Sequence, residues 1–135
     1  MTLTVVDSST MVSALIEANP QGIWALDQVT SGTIAAPALI HVEVTHVLRR
    51  AANAGLVSND VATLAHSDLV DLPIEVFPYE PFATRIWGLR GNVTPYDAWY
   101  VALAEALDAP LATLDRRLAA APGPRCEFRT SPGSE

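Results

Sequence analysis

The sequence predicts an α/β sandwich built around a mostly parallel sheet. Three observations carry that expectation. Short apolar runs of strand length alternate along the chain with longer helical segments. The 135 residues fit one domain, since a domain usually takes ~100–200. Half of the residues are hydrophobic and only 17% are charged, which supplies a core and excludes an extended disordered chain.

The elements follow in order. Residues 3–6 form a short apolar strand, followed by a helical run over 10–18 and another helix over 24–29. Residues 33–36 read as a strand ended by Pro37. A helix over 39–54 is closed by Gly55, and one over 60–72 is capped by Ser58 or Asn59. A strand over 74–77 precedes a helix over 81–89 and another over 96–107. A strand over 111–114 leads to a last helix starting at Arg116 and Arg117. Residues 126–129 suggest a short final strand beyond the turn at 122–124. Residues 1–129 are expected to form the single domain and 130–135 a disordered tail. No internal repeat or low-complexity block is visible.

Cys126 is the only cysteine, which excludes an intrachain disulfide and a Cys-rich zinc site. The N-terminus lacks the basic and apolar regions of a signal peptide. The longest stretch without Asp, Glu, Lys or Arg is 15 residues, 28–42, short of the ~20 that a spanning helix needs. A cytoplasmic protein is expected. The net charge is −7, and all eight basic residues are arginine. Taken alone, that balance argues against nucleic acid, whose phosphates are normally met by positive charge.

In parallel sheets the functional crevice lies at the carboxyl ends of the strands. Asp7 ends the first strand and Asp115 a late one, and each precedes a helical segment. Either acid alone is explained as a helix N-cap. Two at one sheet edge shift the balance towards a functional reading, because like charges converging without compensation are costly. Asp97 lies three residues after Thr94, with Pro95 between them, in a capping-box arrangement. Capping and the helix dipole account for Asp97 structurally, yet a helix start beside the crevice also presents its carboxylate there.

Glu43 shares a ridge with Leu39 and Val47 at i, i+4 spacing, within the apolar arc of its helix near one edge. A buried carboxylate needs a cation, an arginine or a proton. An ion pair with Arg50 and ligation of a metal both remain open from this helix alone. Four carboxylates suit hard cations such as magnesium or manganese. Phosphodiester hydrolysis by metal-activated water is the chemistry that most often uses such a cluster.

Four segments carry a family resemblance: Val5-Val6-Asp7-Ser8-Ser9; Pro37-Ala38-Leu39-Ile40-His41-Val42-Glu43-Val44; Thr94-Pro95-Tyr96-Asp97-Ala98-Trp99-Tyr100-Val101-Ala102-Leu103-Ala104-Glu105; and Pro110-Leu111-Ala112-Thr113-Leu114-Asp115-Arg116-Arg117-Leu118. In this order and spacing the chain resembles the PIN-domain ribonucleases, most closely the VapC-type toxins of bacterial toxin–antitoxin pairs. The resemblance implies a three-layer α/β/α sandwich and an endoribonuclease dependent on one or two magnesium or manganese ions. It also implies a homodimer, an RNA substrate and silencing by a small antitoxin. Asp7, Glu43, Asp97 and Asp115 would then be the catalytic and metal-binding quartet, with Ser8 and Thr113 as supporting polar neighbours. Arg116 and Arg117, at a helix start where the dipole disfavours cations, are RNA-contact candidates, against a plain reading as solvated side chains.

Other readings fare less well. His41 and His46 are five residues apart and miss the i, i+4 face of a zinc helix, and His66 has no spaced partner. Trp24, Trp87 and Trp99 read as core or dimer contacts. A phospho-receiver domain wants a lysine, and there is none. A metal-dependent adhesion motif is only half imitated, because Met11 stands at its second serine position. A PIN scaffold that binds RNA or protein without catalysis is the more serious rival. Under the nuclease reading the acidic total changes meaning. Two divalent ions would add four positive charges to −7, leaving −3, with the added charge concentrated where phosphate must sit.

Overall fold

In a computed structural model, residues 2–132 are described. Five strands form one sheet: β1 (Leu3–Val6), β2 (Thr33–Pro37), β3 (Ile74–Phe77), β4 (Leu111–Ala112) and β5 (Phe128–Arg129). Their order is β3-β2-β1-β4-β5, and every neighbouring pair is parallel. The helices are α1 (Ser8–Ile16), α2 (Pro20–Thr30), α3 (Ile40–Asn53), α4 (Asn59–Asp71), α5 (Ala83–Gly88), α6 (Pro95–Leu107) and α7 (Arg116–Ala119).

The strand order dictates the layers. From β1 the chain steps outward to β2 and then β3, through α1–α2 and α3–α4. It then jumps back across β1 to β4, through α5 and α6. Right-handed crossovers taken in opposite directions put α1–α4 on one face and α5–α6 on the other. The expected three-layer α/β/α sandwich is what results, with a wholly parallel sheet. The reversal between β1 and β4 creates the topological switch point, beside which a crevice opens at the strands' carboxyl ends.

Burial follows the sequence pattern. Val5, Val6, Ile34, Ala35, Leu111 and Ala112 fill the middle of the sheet. Ile40, Val44, Leu48 and Ala51 form the buried stripe of α3, and Ala98, Val101, Ala102 and Leu103 that of α6. At ~25 cal/mol per Å² of apolar surface, each large side chain among these stabilises the fold by about 1.5–3 kcal/mol.

Several boundaries differ from expectation for local reasons. α1 starts at Ser8, because Asp7 is already its N-cap and accepts from Thr10 N. α2 starts at Pro20, with Asn19 accepting from Gly22 N. β4 stops at Ala112: Thr113 N still donates to Arg129 O of β5, but the amides after it turn to side chains, Leu114 N to Ser9 Oγ and Asp115 N to Thr113 Oγ1. A 3₁₀ turn over Glu80–Phe82 replaces the first part of the helix expected from 81. Gly55 does end α3, in the left-handed region at φ 75°, while Leu56 N closes back on Ala51 O at 2.9 Å. Of the expected tail, Ser131 is buried and its carbonyl accepts from Arg116 Nη2 at 2.8 Å. Residues 133–135 lie outside the described residues. No helix among the described residues is long and apolar enough to cross a membrane.

Candidate functional site

Asp7 enters the crevice from the end of β1. Only 5% exposed, it is held by donors on both oxygens. Ser9 Oγ (2.7 Å) and Thr10 N (3.0 Å) donate to Oδ1, and Thr113 Oγ1 (2.5 Å) donates to Oδ2. Burial raises its pKa above the ordinary aspartate value, while the Thr113, Ser9 and Thr10 bonds work in the opposite direction. Thr10 Oγ1 also donates to Ala112 O at 2.9 Å. Together these bonds clasp the ends of β1 and β4, the two strands that flank the switch point.

The supporting pair differs in part from expectation. Thr113 lies against Asp7 as expected, but the second hydroxyl on the carboxylate comes from Ser9 rather than Ser8. A residue one position further into α1 can fold back onto its own N-cap, a possibility that the strand-end motif does not advertise. Both hydroxyls act twice, donating to Asp7 and accepting an amide of the 114–115 turn. The same clasp therefore sets where Asp115 stands. Asp115 itself caps α7, with Oδ1 accepting from Arg117 N (3.0 Å) and Leu118 N (3.1 Å).

Asp97 sits in the first turn of α6, where Thr94 caps the helix by accepting from Asp97 N at 3.2 Å and Pro95 occupies the first turn. Its carboxyl is pushed up to about 6, by burial first and then by repulsion from Asp115, Asp7 and Glu43. Three acids from three other segments of the chain thus act on this one carboxylate. Asp97 and Asp115 also line one groove of about 570 Å³ with Asn92, Thr94 and Arg117.

Glu43 is half-buried on the edge of the α3 stripe. Burial raises its pKa, the Tyr100 bond lowers it, and Asp7 raises it again. The ion pair with Arg50 left open by the sequence does not form, since Arg50 is exposed and Glu43 Oε1 instead accepts from Tyr100 Oη at 2.6 Å. In the sequence Tyr100 stands within the third motif. Its i, i+3 spacing from Asp97 on α6 was the signal that it faces the same crevice.

The two arginines separate. Arg117 lines the groove with the acids, whereas Arg116 is engaged by the Ser131 carbonyl. His46 and His66 are exposed and His41 half-buried, all outside the acid cluster. Trp99 packs edge-on against Tyr79, with ring centroids 5.4 Å apart. Trp87 is 67% exposed beneath the Arg90 guanidinium.

Among the described residues no cation is paired with any of the four acids, and the ion pair found is Arg85–Glu105 at 2.7 Å. The donor set is all oxygen and its charge is uncompensated, the chemistry that a hard divalent cation suits. No three Asp, Glu, His or Cys side chains among the described residues stand close enough to enclose an ion as placed. Repulsion among uncompensated carboxylates favours such an open arrangement.

A family model described as PIN domain matches residues 4–124. Ribonuclease VapC1 of Mycobacterium tuberculosis is 43% identical over 126 residues, 93% of this chain and 95% of that protein. Among solved structures, FitAcB from Neisseria gonorrhoeae superposes with a TM-score of 0.71 at 15% identity, covering 97% of this chain and 99% of that one. VapBC-5 from Mycobacterium tuberculosis, a member of the VapBC family of toxin–antitoxin systems, gives 0.57 at 20% identity, covering 96% and 98%. The two structural likenesses bear on the fold.

Proposed function

The chain belongs to the PIN-domain family, and from that premise we propose that it is an endoribonuclease toxin that hydrolyses RNA phosphodiester bonds with magnesium or manganese. The observation that carries the reading is geometric: carboxylates from the end of β1, α3, α6 and the turn before α7 act on one another at one end of the sheet, and among the described residues none is paired with a cation. Asp7, Glu43, Asp97 and Asp115 would hold one or two ions. Bound metal supplies an activated water near neutral pH and a charge that stabilises the leaving oxygen.

The residues divide the remaining work. Asp7 offers a carboxylate whose orientation Ser9, Thr10 and Thr113 have already fixed, so little ordering is left for the moment of binding. Asp115 keeps Oδ1 on the α7 amides, which sets the direction of Oδ2. Arg117, which lines a groove with Asp97 and Asp115, would meet a phosphate of the RNA. Arg116 is assigned instead to anchoring the C-terminal segment.

The named relatives are a ribonuclease and a member of a toxin–antitoxin system, which supports an RNA substrate and inhibition by a small antitoxin. We place the protein in the cytoplasm as a homodimer. Apolar surface for a second copy or an antitoxin exists at Ile23, Val42 and Trp87, all more than half exposed. The test is incubation of purified protein with total RNA in magnesium or manganese against EDTA, beside Asp97→Asn. Cleavage by the wild type with metal alone is expected. Equal cleavage by both proteins would point to a contaminating nuclease and remove the assignment, and failure of the wild type to bind metal would favour a non-catalytic scaffold.

A further inference from the structure

Tyr100 is 1% exposed and packed within the core, yet its hydroxyl does not end there. It donates to Glu43 Oε1 at 2.6 Å, joining α6 to α3 across 57 residues of sequence. A phenylalanine would fill the same volume without a polar atom to satisfy, so packing does not explain the hydroxyl. The acceptor is one of the acids that act on Asp97, and Asp97 lies one turn before Tyr100 on the same helix. Helix α6 thus contributes one carboxylate directly and grips another.

We propose that Tyr100 is a positioning residue for metal binding, holding Glu43 by Oε1 so that Oε2, which makes no hydrogen bond among the described residues, is left to the ion. The inference rests on the metal-dependent reading above. Glutamate has a long side chain that loses rotamer freedom when it is ordered. A short hydrogen bond to a charged acceptor supplies that ordering before the ion arrives. A phenol donates and a carboxylate oxygen accepts, so the two groups are chemically matched.

The test is manganese binding measured by calorimetry, without RNA, on wild type, Tyr100→Phe, Glu43→Gln and the double variant. Losing an outer partner of a metal ligand typically weakens metal affinity by about 10- to 100-fold, and that loss is expected for Tyr100→Phe. In the Glu43→Gln background the Phe substitution should cost almost nothing more, because its route of action is already gone. A Tyr100→Phe protein that binds manganese as tightly as wild type overturns the inference. So does an undiminished Phe effect in the double variant, which would make Tyr100 a packing residue only. Wild type that binds no manganese would instead overturn the metal reading itself. A measurement on unaltered protein covers a folding defect in the variant: the Tyr100 hydroxyl proton should resonate downfield in NMR and shift when magnesium is added. A resonance that ignores magnesium counts against the proposal.

Discussion

Substituting asparagine for Asp97 removes a charge that the folded protein holds at a cost. The carboxyl ionises near 3.8 when unfolded and is pushed up to about 6 in the fold, by burial and by the neighbouring Asp115, Asp7 and Glu43. Below the lower value the group is neutral in both states and the cost is absent. Above about pH 6 it is charged in both states and the native state bears the whole cost. Between those limits the native state binds the proton more tightly, so stability falls as pH rises. At about 1.4 kcal/mol per pH unit the interval corresponds to roughly 3 kcal/mol, which water around this partly exposed group reduces to about 1–2 kcal/mol. The lost interaction of a first-turn acid with the helix dipole takes back about 0.3–1 kcal/mol. A net gain of about 1 kcal/mol is equivalent to a rise in Tm of roughly 3–5 °C for a domain of this size. Thermal unfolding by circular dichroism in EDTA at pH 7.5 and pH 4 reads the difference directly. Asp97→Asn should melt above wild type at pH 7.5 and level with it or below at pH 4. A variant less stable at pH 7.5, or displaced equally at both pH values, would refute the repulsion argument.

Substitutions at two further positions test the clasp beneath Asp7 and the packing of α1 on α2. Thr113→Val strips a donor from buried Asp7 and an acceptor from Asp115 N, and urea unfolding should register a loss of about 1–3 kcal/mol. Thr113→Ser should recover most of it, whereas a neutral Val variant would contradict the clasp. In α2, a Cβ at Gly22 would fall 2.0 Å from the Glu17 carbonyl oxygen, so Gly22→Ala should cost about 1–3 kcal/mol as the α1–α2 contact is forced open. An unchanged urea midpoint would show that this contact yields more easily than its geometry implies.

Much of the candidate site was legible because three of its acids also mark helix starts. Asp7 and Asp115 are N-caps, and Asp97 sits in a capped first turn, so the local rules that place helix starts also placed three of the four carboxylates. The alternation of short apolar runs with helices was enough for a parallel sheet, and the layers then followed from crossover handedness. What sequence could not supply were side-chain partners distant in the chain. Ser9 against Ser8 depends on how α1 turns over Asp7. The choice for Glu43 between Arg50 and Tyr100 depends on α6 lying beside α3, which no spacing within α3 encodes. The end of β4 falls short of residue 114 for the same reason, since the Leu114 and Asp115 amides bond to hydroxyls rather than to a strand.

The central claim is that these four carboxylates act as one metal-dependent site for cutting RNA. Its most direct test is the single-turnover cleavage rate of one RNA substrate at saturating manganese, compared across Asp7→Asn, Glu43→Gln, Asp97→Asn and Asp115→Asn. Each variant should lose at least about 100-fold, since removing a ligand costs more than the 10- to 100-fold of losing a ligand's partner. Any one of the four cutting at the wild-type rate would contradict the account.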